Sequence, residues 1–171
     1  MSRITSLVRA TLRVAVAVAV VICGAQASAQ QQQTSERPFS FGIGLGAAAR
    51  PGAGVGSMGV GTLEFGTPWR KLDARLDGAV MKWPGSISVG RVTSLTANLV
   101  YSHRVGVLVP YVLGGIGGYA EQGMGMSFGV NGGVGARVPL GRLQPFIELR
   151  EHVWSADKAY RATPLTFGLR F

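Results

Sequence analysis

Ten side chains of chemically capable types recur at alternate positions: Glu64, the run Asp73, Arg75, Asp77, then Asn98, Arg137, the run Glu148, Arg150, His152, and Arg170. On an extended chain, alternate residues share a face, so each run sets three polar groups side by side. Carboxylates interleaved with guanidiniums can neutralise one another in a closed interior, where an unpaired charge would be costly. They can also line a polar path for small solutes. Nucleophilic catalysis asks for more, a hydroxyl or thiol within reach of a base. His152 is followed by Val153 and Trp154, and Ser155 falls on the opposite face; His103 is followed by Arg104 and Val105. The expectation is therefore an ion-pair core and no enzyme. Two histidines on different strands make a weak metal site, and the Gly-x-Gly runs precede no helix, so neither metal nor nucleotide cofactor is expected.

These residues need strands to align them. The final segment, Pro164 to Phe171, shows the pattern most plainly: Leu165, Phe167, Leu169 and Phe171 on one face, Thr166, Gly168 and Arg170 on the other. Similar segments begin at Phe39 and are separated by Gly, Pro or charged punctuation. They predict eight strands near 39–49, 57–67, 73–81, 92–102, 109–119, 127–138, 145–154 and 164–171. The 26 glycines speak against helices. The glycine-rich start of strand two leaves its register open and allows a bulge. In strand five, Tyr111, Leu113 and Tyr119 are expected outward. Trp83, Tyr119 and Trp154 would form one aromatic girdle, and Trp69, Tyr101, Tyr111 and Phe171 the other.

Eight alternating strands close either into a membrane barrel, apolar face outward, or into a soluble lipocalin-like barrel, apolar face inward. Alternation is symmetric to that inversion. The terminal Phe171, the expected aromatic girdles and the chain's start tip the balance toward the membrane. Arg3, Arg9 and Arg13 precede an apolar run from Val14 to Cys23, and Ala27-Ser-Ala29 offers a cleavage site. Residues 1–29 thus read as a secretory signal peptide, 30–38 as a flexible periplasmic lead-in, and 39–171 as an outer-membrane β-barrel. Cleavage removes the single cysteine and lowers the formal charge from +9 to about +6. The remaining basic residues form no stripe with interleaved aromatics, which excludes a nucleic-acid partner.

Four segments carry a family resemblance: 110–119 (PYVLGGIGGY), 128–137 (FGVNGGVGAR), 145–150 (PFIELR) and the terminal strand. Through them the chain resembles the outer-membrane β-barrel domain family, the small barrels of the OmpA, OmpX and OmpW type. The resemblance implies an all-β, eight-stranded antiparallel up-and-down transmembrane barrel surrounded by outer-membrane lipid. It also implies insertion by the barrel-assembly machinery, which reads the last strand, here Leu165, Phe167, Leu169 and Phe171. It places both termini in the periplasm and the connections near Arg50, Lys82, Glu121 and Ser155 outside. Function within the family varies. A structural or interaction role is the first expectation, a narrow porin-like channel the second, and a lipid-modifying enzyme the third. Some such barrels are lipid A deacylases with a His-x-Ser pair, a pattern that neither histidine here supplies.

Overall fold

The computed structural model describes residues 39–69, 71–84, 90–123, 125–155 and 159–171. The expected signal peptide and lead-in lie outside the described residues. Eight strands run in chain order: β1 (Phe39–Arg50), β2 (Gly54–Gly66), β3 (Leu72–Lys82), β4 (Arg91–Ser102), β5 (Val109–Glu121), β6 (Gly125–Arg137), β7 (Gln144–Ser155) and β8 (Ala159–Arg170). Each pairs antiparallel with the next, and β8 pairs with β1, so the sheet closes and leaves no edge strand unpaired. Strand lengths of 11–13 residues suit tilted strands crossing an apolar layer.

The register fixes the tilt. Partners followed once round from Arg170 are Gly42, Thr62, Asp77, Thr96, Gly117, Gly129, Trp154 and finally Tyr160, back on β8. The path returns ten residues from its start, and that stagger in an eight-stranded barrel inclines the strands by about 40°. A barrel of this size is filled by its own side chains.

Which face points where is settled by exposure. Leu45, Leu95, Ile116 and Phe128 are 64–80% exposed, whereas Arg75, Asp77 and His152 are at most 2% exposed. The apolar residues are outside and the charges inside, the reverse of a lipocalin-like barrel. Water would have to hydrate this apolar belt; hydrocarbon covers it at no such cost.

One open register is settled and two expectations are corrected. First, β2 pairs β1 without a bulge, every register partner from Phe65 to Gly54 in step with Phe39 to Arg50. Second, β8 begins at Ala159, five residues earlier than the alternation near Phe171 reveals. Pro164 explains the difference: it has no N–H to give a ladder. The β7–β8 register is the same on both sides of it, Leu149 against Leu165 and His152 against Ala162.

Third, strand five is turned the other way. Tyr111, Leu113 and Tyr119 are buried inside the barrel, and Val112 and Ile116 face out. Trp83 and Trp154 are buried as well, so the expected girdle of Trp83, Tyr119 and Trp154 is instead an interior cluster. Of the other girdle, Trp69, Tyr101 and Phe171 are exposed and Tyr111 is not.

At the end holding Phe39 and Phe171 the strands are joined by short connections. Two are hairpin turns with Gly106 and Gly141 at positive φ in the first central position, which only glycine adopts freely. The strand ends Arg50, Gly54, Lys82, Arg91, Glu121, Gly125, Ser155 and Ala159 lie at the opposite end.

Candidate functional site

The barrel interior is stacked in three layers. Nearest the termini, Glu64 on β2 receives Arg170 of β8, with Nη2 2.6 Å from Oε2 and Nη1 on Oε1. Arg137 of β6 donates to the same Oε1 at 2.8 Å and lies 4.0 Å from Asp73 of β3. Two cations thus balance two acids on four strands.

The middle layer crosses the barrel. Arg75 of β3 places Nη1 2.8 Å from Glu148 Oε2 on β7, and its Nε 2.6 Å from Asp77. Arg150 of β7 answers with Nη1 2.8 Å from Asp77 Oδ2 and Nη2 2.5 Å from Glu148 Oε1. Each guanidinium therefore contacts both carboxylates. Tyr111 donates its hydroxyl to Glu148 at 2.9 Å, and Asn98 donates to Asp77 at 2.8 Å and to Thr96 at 3.1 Å. All four charged groups are almost fully buried, so the pairing must offset a desolvation cost of several kcal/mol per ion.

Inward glycines provide the room. A Cβ on Gly133 would sit 3.1 Å from Arg150 Cα and Cγ, and a Cβ on Gly135 would collide with the Tyr111 ring. These positions on β6 let β7 and β5 send long side chains across the axis.

His152 marks the change to the third layer. Its Nδ1 is 2.9 Å from the Tyr119 hydroxyl, and its ring meets that of Tyr119 edge-on. Beyond it, at the end opposite the termini, Tyr119, Trp154 and Tyr160 stack in series with ring centroids 5.1 and 6.0 Å apart. Met58, Met81, Trp83 and Val92 complete this apolar cluster, and Trp83 Nε1 donates to the Ala48 carbonyl at 2.9 Å. Arg50 threads the rings, with its guanidinium carbon 5.2 Å from Trp83, 5.5 Å from Trp154 and 5.1 Å from Tyr160. Glu121 pairs with it at 2.8 Å.

Sequence reasoning does not find Arg50, Glu121, Tyr111 or the inward aromatics as interior residues. Arg50 and Glu121 read there as the ends of loops. The available signal was parity: Trp154 shares its face with Glu148, Arg150 and His152, and Arg50 with Gly42, Gly44 and Gly46.

The described residues contain no group of three or more His, Cys, Asp or Glu side chains placed to hold a metal ion. Nor does either described histidine have a serine or threonine hydroxyl among its described hydrogen-bond partners.

No protein-family model matches this sequence, and no curated protein matches it. Solved structures do match it in shape. Neisserial surface protein A superposes with a TM-score of 0.69 at 14% identity, over 78% of this chain and 96% of that one. The N-terminal β-barrel domain of Pseudomonas aeruginosa OprF gives 0.55 at 15% identity, over 77% and 97%. The outer membrane enzyme PagL gives 0.57 at 17% identity, over 77% and 98%. At such identities the likeness concerns architecture, and it agrees with the strand count, the closure and the apolar exterior described above. The chain has the fold of the small eight-stranded outer-membrane β-barrels.

Proposed function

We propose that this protein is exported with cleavage of residues 1–29 and resides in the bacterial outer membrane as a non-conducting, non-enzymatic barrel with a structural or interaction role. One observation carries the reading. Arg75, Asp77, Glu148 and Arg150 form a closed four-charge ring from β3 to β7, across the interior rather than along its wall. A solute path needs polar groups free to exchange partners with the solute. Here both guanidiniums are already held by two carboxylates, and the aromatic layer around Arg50 stands in series with them. The exposed apolar exterior supports residence in lipid, and the small barrels of like fold agree with it.

The non-enzymatic part is supported by His152, which is buried with its Nδ1 on the Tyr119 hydroxyl and, among the described residues, has no serine or threonine hydroxyl as a hydrogen-bond partner. For assembly, the outward side chains of β8, Leu165, Phe167 and Leu169, together with Phe171, would be read by the barrel-assembly machinery.

Heat modifiability tests residence first. In isolated outer membranes an unboiled sample is expected to migrate faster on a detergent gel and to shift on boiling. Recovery in the soluble periplasmic fraction without a shift overturns the reading. Planar-bilayer recording then tests closure: no steady open events are expected. Steady events that vanish on substitution of Arg137 or Arg150 would establish a channel instead. Mass analysis of lipid A with and without the protein is expected to show an unchanged acyl count; a changed count establishes a lipid-modifying enzyme.

A further inference from the structure

On the outside of the barrel, at the end opposite the termini, β3 finishes on Lys82 and β4 begins on Arg91. The two residues are register partners, and both side chains are exposed on the apolar exterior. Like charges directly opposite on adjacent strands repel. Among the described residues neither forms an ion pair with an acid. Arg161, another outward cation toward this end, is paired with Glu151. Among the described residues the exterior therefore presents two adjacent cations without an acid partner, at the rim of the apolar belt opposite Phe39 and Phe171.

Below them the surface dips at two glycines that flank Leu95, one of them bordered by the Met126 methyl. The next outward positions on these strands and β5 are Val80, Thr93 and Ala120, followed by Gly78, Leu95 and Gly118. A Cβ at Gly78 would meet nothing within 4 Å. This low track opens into a groove of about 640 Å³ walled by Leu76, Leu95, Ile116, Phe128 and Val130. Leu95 lies four residues from Arg91, about 13 Å along the strand.

We propose that Lys82 and Arg91 bind the phosphate of an anionic membrane lipid whose acyl chain lies in the groove walled by Leu95, Ile116 and Phe128. A phosphomonoester removes the repulsion between the two cations, takes a forked pair of hydrogen bonds from Arg91, and receives a point charge from Lys82. The groove accounts for a lipid rather than a free anion, since its wall is almost wholly apolar. The inference rests on the barrel's residence in a membrane and adds a ligand class to it.

The test uses the full mature chain refolded in detergent micelles, with its gel shift on heating as proof of a barrel. Native mass spectrometry compares retention of phosphatidic acid with that of diacylglycerol, which has the same chains and no phosphate. The wild type is expected to retain phosphatidic acid at least about tenfold more tightly. The variant K82Q/R91Q is expected to keep its gel shift and lose that preference, and K82Q alone to lose part of it. G118L, which fills the track, is expected to weaken both lipids. Equal retention of phosphatidic acid by wild type and K82Q/R91Q overturns the assignment. Full displacement by inorganic phosphate overturns the acyl-chain half, because it identifies a bare anion site. Loss of the gel shift in the wild type would instead overturn membrane residence itself.

Discussion

Arg75 on β3 reaches across the barrel axis to Glu148 on β7, Nη1 to Oε2 at 2.8 Å, and joins strands whose pairing partners are all different. Glu148 also accepts from Arg150 and from Tyr111, so three donors depend on one carboxylate. Glu148→Gln leaves two buried guanidiniums with only Asp77 between them and is expected to cost about 3–5 kcal/mol in urea titrations of the micelle-bound barrel. Replacing Arg75 by Met and Glu148 by Leu together leaves Arg150 and Asp77 as a balanced pair, at 2.8 Å in the structure. That double variant is expected to be far more stable than the sum of its single changes. Additive losses would mean that the two residues do not act as a pair.

The aromatic layer makes a different prediction, because it is apolar and lies in series with the ion pairs. Trp154 stacks against both Tyr119 and Tyr160, and its ring bears on Arg50. Trp154→Ala is expected to destabilise by about 3–5 kcal/mol through the cavity it leaves. It is not expected to produce steady conductance, since the charge ring below remains closed. Open events in this variant would place the barrier in the aromatic layer alone.

Much of the architecture is visible in the residues themselves, and the exceptions have physical causes. Period-two alternation with turn punctuation marks all eight strands, since a one-residue slip would exchange the faces of any of them. Strand five misleads because Gly114-Gly115-Ile116-Gly117-Gly118 carries no polar residue to mark the inside. The aromatics mislead for a second reason: a Tyr or Trp ring with one polar atom suits a lipid interface and a mixed interior equally. For Trp154, the parity it shares with His152 is the better guide. The runs Asp73–Asp77 and Glu148–His152 are visible as faces, but that Arg75 meets Glu148 is not, because cross-axis pairing depends on the stagger of closure.

Glycines on the two faces are expected to respond oppositely to one methyl group. Gly135→Ala drives a Cβ into the Tyr111 ring, displaces the hydroxyl from Glu148, and should cost about 1–3 kcal/mol. Gly61→Ala points outward, where a Cβ meets nothing within 4 Å. That change is expected to be neutral or to stabilise by up to about 1 kcal/mol by restricting the unfolded chain. Parallel unfolding titrations read both, and equal losses at the two sites would contradict the inward packing of Tyr111 against β6.

The terminal residue serves closure and, on the reading above, assembly, and the two roles separate by comparing strands. Phe171 exchanges backbone hydrogen bonds with Phe41, N to O at 2.7 and 3.3 Å, and the two rings stack with centroids 6.3 Å apart. Phe171→Ala and Phe41→Ala both remove that stacking, so both are expected to destabilise the finished barrel by similar amounts in detergent. Only Phe171→Ala alters the segment that the assembly machinery would read. In proteoliposomes carrying that machinery, Phe171→Ala is therefore expected to slow appearance of the heat-modifiable band, while Phe41→Ala keeps the wild-type rate. Equal slowing by the two variants would assign the effect to β1–β8 closure and remove the reason to treat Leu165, Phe167, Leu169 and Phe171 as a recognition signal.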